Sequence, residues 1–536
     1  MAASGPPAER PADRAEVLDT TVASILRQAA ARAPGTVGLV DPAANPRRRW
    51  TYADMLAEAE RVSLALRARF APGERIAVYA PSLVESLLLT YGAALARMVL
   101  VPVNPALRPA ELAHVVGQSG AAGIFLTARW RDQDLHQALR SVRSELPELR
   151  RVVDFADWAA FCAPAPDDVT AGAADPAGLH DPDDPAPDDV AQIVYTSGTT
   201  GAPKGAMLTH RGMTNAARLG AMRFTMTAGD IYLQAMPLFH VGGQVVSLQI
   251  CQQLATAVLL PSFDPAVVLE LVESERITLT CGVPTMLLAL AEHPDFTRRD
   301  LSSLRAVSSG GAVVPTELVR RIESALGVRF AIVFGQTEAC GFISQTELDD
   351  DDEVKAQSLG RPLPSVEVRV VDEARHVVEL GQVGELEVRG PNTMVGYHAL
   401  DEASAEVLGP DGWLRTGDLV DMDGGGVLRM RGRRKDMIVS GGENVFPVEV
   451  EEALATHPAV AQAAVLGVPD RRWGEAVVAV VRPVPGAEVD AEALAAHLRL
   501  RLAPYKVPKR WEFVDELPLT ASGKVQKYVL RDRFTA

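Results

Sequence analysis

Hydroxyl residues, glycines and one lysine crowd into Tyr195-Thr-Ser-Gly-Thr-Thr-Gly-Ala-Pro-Lys-Gly205, directly after the apolar pair Ile193-Val194. Glycine lets a backbone turn tightly and approach an anion, and hydroxyls and amides then donate to phosphate oxygens. Thr196, Ser197, Gly198, Thr199, Thr200 and Lys204 are therefore candidate phosphate contacts. The pattern is not a Walker A loop, because Lys204 follows Pro203 and precedes Gly205 instead of standing in Gly-Lys-Ser/Thr. A flexible surface linker is the bland alternative, and linkers seldom place a lysine and hydroxyls so densely after an apolar run.

Four further strings carry chemistry more faintly. In Phe334-Gly-Gln-Thr-Glu338, after the strand-like run 330–333, an exposed aromatic ring could stack a base. The Glu338 carboxylate there could hold Mg2+, which takes oxygen ligands alongside substrate phosphates. An ordinary turn fits the same five residues equally well. Thr416-Gly-Asp418 offers a carboxylate for ribose hydroxyls, although a bare tripeptide of this kind is usually a turn. Gly432-Arg-Arg-Lys-Asp-Met-Ile-Val-Ser-Gly-Gly-Glu-Asn444 concentrates cations and glycines. Leu519-Thr-Ala-Ser-Gly-Lys524 brings a lysine near the end of the chain, where it could place a point charge on a developing oxyanion or simply sit in a solvated loop.

These residues need elements to hold them. Thr51 and Asp54 form a capping-box-like helix start, and Leu56, Ala59, Val62, Leu66 and Phe70 recur at helical spacing. A strand over 75–80, a helix over 83–96 and a strand over 98–103 follow, which predicts α/β layers and a partly parallel sheet. The Ala-, Asp- and Pro-rich stretch 163–189 reads as an acidic surface loop, and the apolar stretch 245–261, broken by glutamines, as a buried core segment. After about residue 360, short β-branched runs at 366–371, 385–388 and 426–430 predict a β-rich subdomain extending to 434. Beyond Lys435 the pattern is α+β: helix 448–456, strands 461–467 and 476–482, helix 491–502. The reading is thus an α/β multidomain chain, with a domain over 1–434 and a smaller one over 435–536.

At 536 residues the chain is long enough for more than one core. Its net charge of -16 argues against nonspecific nucleic-acid binding, which depends on cationic contacts to phosphate. The four cysteines show no paired spacing, which fits a reducing compartment such as the cytoplasm, and no secretory leader or membrane span is expected.

Together and in this order the motifs resemble the adenylate-forming superfamily, which contains acyl- and aryl-CoA synthetases, peptide-synthetase adenylation domains and firefly-type luciferases. The resemblance runs from about Thr21 to Arg531. It implies a large N-terminal domain of sheets with a β-barrel-like subdomain, and a small C-terminal domain that rotates about a hinge. The implied reaction joins a carboxylic acid to ATP as an acyl-adenylate, then passes the acyl group to CoA, with Mg2+ required. Residues 196–204 would form the phosphate loop, Phe334 would stack adenine, and Gly335, Gln336 and Thr337 would lie beside the nucleotide. Glu338 would bind Mg2+, Asp418 the ribose and Arg433 the nucleotide, and Lys524 would bridge carboxylate and α-phosphate. Gly310, Gly311 and Ala312 would wall the adenine and acyl sites. His240, which from the residues alone reads as a core histidine, would line the acyl pocket in Pro237-Leu-Phe-His240. Lys435 falls at the hinge position, and Gly441, Gly442, Trp473 and Tyr505 where related synthetases contact CoA. Phe334 replaces the more frequent tyrosine, and Lys527 a frequent arginine. The small or neutral Gly243, Gly310, Gly311, Gly335 and Cys340 suggest an apolar fatty or aryl tail. Transfer to a carrier protein in trans, or nucleotide binding without catalysis, are the rival readings.

Overall fold

The computed structural model describes residues 8–10, 15–163, 184–196, 203–312, 314, 316–441, 443–487, 489–519 and 525–535. Ser197, Gly198, Thr199, Thr200, Gly442 and Lys524 lie outside the described residues, as does most of the acidic stretch.

The helix Tyr52–Arg67 starts where the sequence predicts: Thr51 Oγ1 accepts from the Asp54 amide (3.1 Å) and Asp54 Oδ2 accepts from the Thr51 amide (2.9 Å). Such a cap is worth about 1 kcal/mol. Met55, Ala59, Val62 and Leu66 form its buried face, and the following helix, Val84–Leu95, crosses very close to it. A Cβ on Gly92 would lie 2.4 Å from Val62 Cγ1, so only glycine permits that crossing. The strands on either side, Arg75–Tyr79 and Val99–Val103, pair in parallel from Arg75↔Val99 to Tyr79↔Val103, as the strand–helix–strand order predicts.

Those strands belong to a seven-stranded sheet whose far side ends in Val190–Thr196, Lys204–Thr209 and the short edge strand Gly396–Tyr397. A nine-stranded sheet carries the parallel core Ile231–Gln234, Leu279–Cys281, Ala306–Gly310 and Arg329–Phe334. The stretch expected as one core segment is two elements, the helix Val241–Gln252 and the strand Thr256–Leu259, both buried.

The β-rich subdomain is an antiparallel sheet ordered Glu9–Arg10, Glu367–Val371, Gly384–Arg389, Leu414–Met422, Leu428–Arg433. Among the described residues it is an open sheet rather than the barrel-like form expected. Leu414–Met422 was not foreseen as a strand, because Thr416-Gly-Asp418 looks like a turn; Gly417 keeps a turn-like φ of +72° inside it. Glu387, at zero exposure, is held between Arg369 (2.6 Å) and Arg375 (2.9 Å), so its burial is compensated by two guanidinium groups.

From Ile438 onward the chain forms a separate sheet, with Gly474–Pro483 between Val460–Asp470 and Arg510–Phe513. The helices Pro447–Ala455 and Ala491–Arg499 match the predicted ones to within a few residues. Alternating valines and alanines of Gly474–Pro483 supply one core with Val477, Ala479 and Val481 and a second with Val478 and Val480, as a strand covered on both faces must. Among the described residues no helix is long and apolar enough to cross a membrane.

Candidate active site

The glycine- and hydroxyl-rich motif joins two antiparallel strands. Val190–Thr196 runs into it, and Lys204–Thr209 returns with Thr196 opposite Lys204, the Thr196 hydroxyl donating to the Lys204 carbonyl (3.4 Å). Both ends are braced: His114 bonds the Pro203 carbonyl (2.8 Å), Gln118 accepts from the Tyr195 hydroxyl, and the His398 amide donates to the Gly205 carbonyl (2.8 Å). The loop ends are therefore fixed in a hairpin, whereas a Walker A loop would lead into a helix.

Phe334-Gly-Gln-Thr-Glu338 and Gly310-Gly-Ala312 lie side by side, because their parent strands pair in parallel and end together at Gly310↔Val333. This is the carboxyl edge of a parallel sheet, where open α/β folds bind ligands. The Phe334 ring is not exposed as the sequence suggested; at 8% exposure it packs in the largest core cluster. Gly335 has no room for a side chain, since a Cβ there would sit 2.2 Å from the Gly341 carbonyl oxygen. The Gln336 carbonyl accepts from the amides of Ala339 (3.0 Å) and Gly341 (2.9 Å), while its buried Nε2 has no partner among the described residues. Thr337 and Glu338 form a single 3-10 turn.

Glu338 is the hub. Its Oε1 accepts from the Tyr397 hydroxyl (2.8 Å), and its carbonyl accepts from the Met394 amide (2.8 Å). The Lys204 ammonium lies over the same Tyr397 ring, 5.2 Å from the centroid. Asp418, fully buried, faces Arg433 across paired strands at 2.9 Å. Lys435 is close enough to both groups to feel them: burial and then Arg433 lower its pKa, opposed by Asp436, Asp418 and Glu338. The structure thus brings Lys204, Glu338, Asp418, Arg433 and Lys435, taken from four separate stretches of chain, to one place.

His240 occupies the N-cap position of the helix Val241–Gln252, its ring 4.8 Å from that of Phe239. Gly243 allows this helix to start against Pro237, whose carbonyl oxygen would be 2.1 Å from a Cβ. Gly341, just past Glu338, approaches Val241 of the same helix, so the histidine segment adjoins the Glu338 turn. Cys340 is a core residue: fully buried, with its Sγ beside Gly212 and its thiol pKa pushed up by burial.

A second group forms in the C-terminal part. The Gly441 amide donates to the Trp473 carbonyl (2.7 Å), and a Cβ on Gly441 would stand 3.0 Å from the indole. Arg472 (4.8 Å) and Lys509 (5.6 Å) lie over the Trp473 ring. Tyr505 sits in the turn Pro504–Lys506, which contacts the strand Glu443–Val445 and carries Lys506, paired with Glu449 at 2.6 Å. Lys527 pairs with Glu451 at 2.7 Å. Sequence reasoning missed Tyr397, since Gly396-Tyr397 has no spacing that marks it; its role depends on which strands it lies between.

Lysines, an arginine and carboxylates thus gather where the carboxyl edge of a parallel sheet meets two antiparallel strand pairs, a charge set suited to a phosphate-bearing ligand. The chain belongs to the AMP-binding enzyme family, whose model matches residues 26–398, and the model of the AMP-binding enzyme C-terminal domain matches 449–524. It is 41% identical over 487 residues to a feruloyl-CoA synthase from an Amycolatopsis species, covering 90% of this chain and 94% of that protein. The mitochondrial medium-chain acyl-CoA ligase of Mus musculus is 32% identical over 554 residues, covering 96% of this chain and 88% of that one. Among solved structures, the anthranilate CoA ligase AuaEII in complex with anthranoyl-AMP superposes with a TM-score of 0.86 at 26% identity, over 96% and 97% of the two chains.

Proposed function

We propose that this AMP-forming acid–thiol ligase activates a fatty or aryl carboxylic acid and transfers it to CoA. The carboxylate attacks the α-phosphate of ATP, giving acyl-AMP and pyrophosphate; the CoA thiolate then attacks the mixed anhydride, and AMP leaves. The observation that carries the reading is the meeting of Lys204, Glu338, Asp418 and Arg433 in a chain that matches both parts of the AMP-binding family.

The protein's work in the first step is to hold two anions together, so cations and donors dominate it. Lys204 and the loop it closes contact the phosphates, Asp418 takes the ribose hydroxyls, and Lys524 neutralises charge between carboxylate and α-phosphate. Glu338 would hold Mg2+, which would supply positive charge at the phosphates. A lone carboxylate suits an ion that arrives with ATP and keeps its waters, and the described residues contain no group of three or more His, Cys, Asp or Glu that could cage one. Lys435 marks the boundary between the two domains and the hinge about which the C-terminal domain turns, first presenting Lys524 and then the CoA face of Gly441, Gly442, Trp473 and Tyr505. The cations over Trp473 suit the phosphates of CoA. His240 and Gly243 line the acyl side, and the relatives are named for a feruloyl, a medium-chain acyl and an anthranilate substrate, so both aryl and fatty acids belong in the test.

The test is AMP and thioester formation from ATP, Mg2+ and a panel of fatty and aromatic acids, with and without CoA. Acyl-CoA formed with AMP in equal amounts is the expected result. Pyrophosphate exchange with no thioester would redirect the second step to another acceptor.

A further inference from the structure

The segment 392–398 touches both halves of the nucleotide site. Its Val395 amide donates to the Met207 carbonyl (3.1 Å) and its His398 amide to the Gly205 carbonyl (2.8 Å), so it pairs antiparallel beside the strand that begins at Lys204. On its other flank the Met394 amide donates to the Glu338 carbonyl (2.8 Å), and Asn392 Nδ2 donates to the Phe342 carbonyl (2.6 Å). Tyr397 is the side chain that spans the gap. It is 7% exposed, its own amide is held by Ser404 Oγ (2.8 Å), its ring lies under the Lys204 ammonium, and its hydroxyl donates to Glu338.

From this we propose that Tyr397 is a positioning residue that couples phosphate capture by Lys204 to cation capture by Glu338. The phenol fixes Oε1, so that the carboxylate cannot rotate and Oε2 is presented to the cation. A cation over an aromatic face withdraws electron density from the ring and makes the phenolic O–H a better donor. Lys204 and Glu338 therefore act through one rigid ring rather than through two mobile side chains. This inference rests on the assignment of Glu338 to the metal.

The experiment uses the full chain with ATP and Mn2+ and no acid, so that nothing turns over, and reads bound Mn2+ by electron paramagnetic resonance. Tyr397→Phe keeps the ring and its packing and removes only the hydroxyl. It should weaken Mn2+ binding about tenfold, as loss of a hydrogen bond to a charged group does. Tyr397→Leu should also raise the KM for ATP, because Lys204 loses its ring. If Glu338→Gln weakens Mn2+ binding and Tyr397→Phe does not, the positioning role is overturned and the metal assignment stands. If Glu338→Gln itself leaves Mn2+ binding unchanged, the metal assignment falls and the coupling falls with it.

Discussion

The two halves of the site are built differently. Around Lys204 and Glu338 the groups stand on or beside strand ends and are tied by direct contacts to one another: Tyr397 to Glu338, Asp418 to Arg433, Gly335 against Gly341. Around Trp473 the candidate CoA contacts lie on turns, under partly exposed cations. Glu387 is fully enclosed by two arginines in the larger part, whereas Lys506–Glu449 and Lys527–Glu451 in the smaller part remain in contact with water. The proposed two-step reaction uses that difference: strand-borne groups hold the nucleotide in place, and turn-borne groups are free to re-form as the substrates change.

The largest expected effect would break that division if it failed. Lys524→Ala should slow acyl-adenylate formation about 1000-fold, the scale of losing one oxyanion-stabilising group, while thiolation of supplied acyl-AMP changes little. Comparing pyrophosphate exchange with CoA-dependent consumption of acyl-AMP separates the two; equal losses would mean the lysine serves both halves.

Next is acid stability, which should belong to the larger part. His210 is 2% exposed, its Nδ1 accepts from the Val22 amide (3.3 Å), and burial lowers its pKa to about 4. Between that value and the ordinary 6.5 the unfolded chain binds the extra proton, so stability rises with pH through this window. The contribution is complete above about 6.5 and about 3 kcal/mol is lost as pH falls toward 4. Denaturant midpoints from pH 7 to 4.5 should fall for the parent and fall less for His210→Gln; parallel slopes would remove His210 from the account.

Glu338→Gln should lower AMP formation about 100-fold at limiting Mg2+, an upper-range loss for a group that tunes metal affinity. Excess Mg2+ should recover part of that loss, and a deficit indifferent to Mg2+ would point to a structural role. Smallest is Trp473→Ala, expected to raise the KM for CoA about tenfold, within the range for truncating an interface aromatic. Pyrophosphate exchange should be unchanged. A matching loss there would show that the loop-borne half also supports adenylation.

Much of this molecule was legible in its residues. The capping box at Thr51, the strand–helix–strand order from Arg75 to Val103, and the apolar run that predicts the strand over 476–482 are local patterns. Local sterics and periodicity suffice to set them. The ordered motifs likewise marked the family, which both matching family models bear out. Tertiary structure decided the rest. Thr416-Gly-Asp418 lies inside a strand because cross-strand pairing with Arg433 outweighs the turn preference of glycine. The Phe334 ring is buried because the elements packed around it form the core, and the subdomain sheet is open because strand closure is a long-range matter. Tyr397 gains its position only when an edge strand from residue 396 pairs beside Lys204 and across from Glu338, some sixty residues away in the chain. Sequence specified which groups could do the chemistry; only the sheet's long-range pairings, invisible to local spacing, determined which of them share a site.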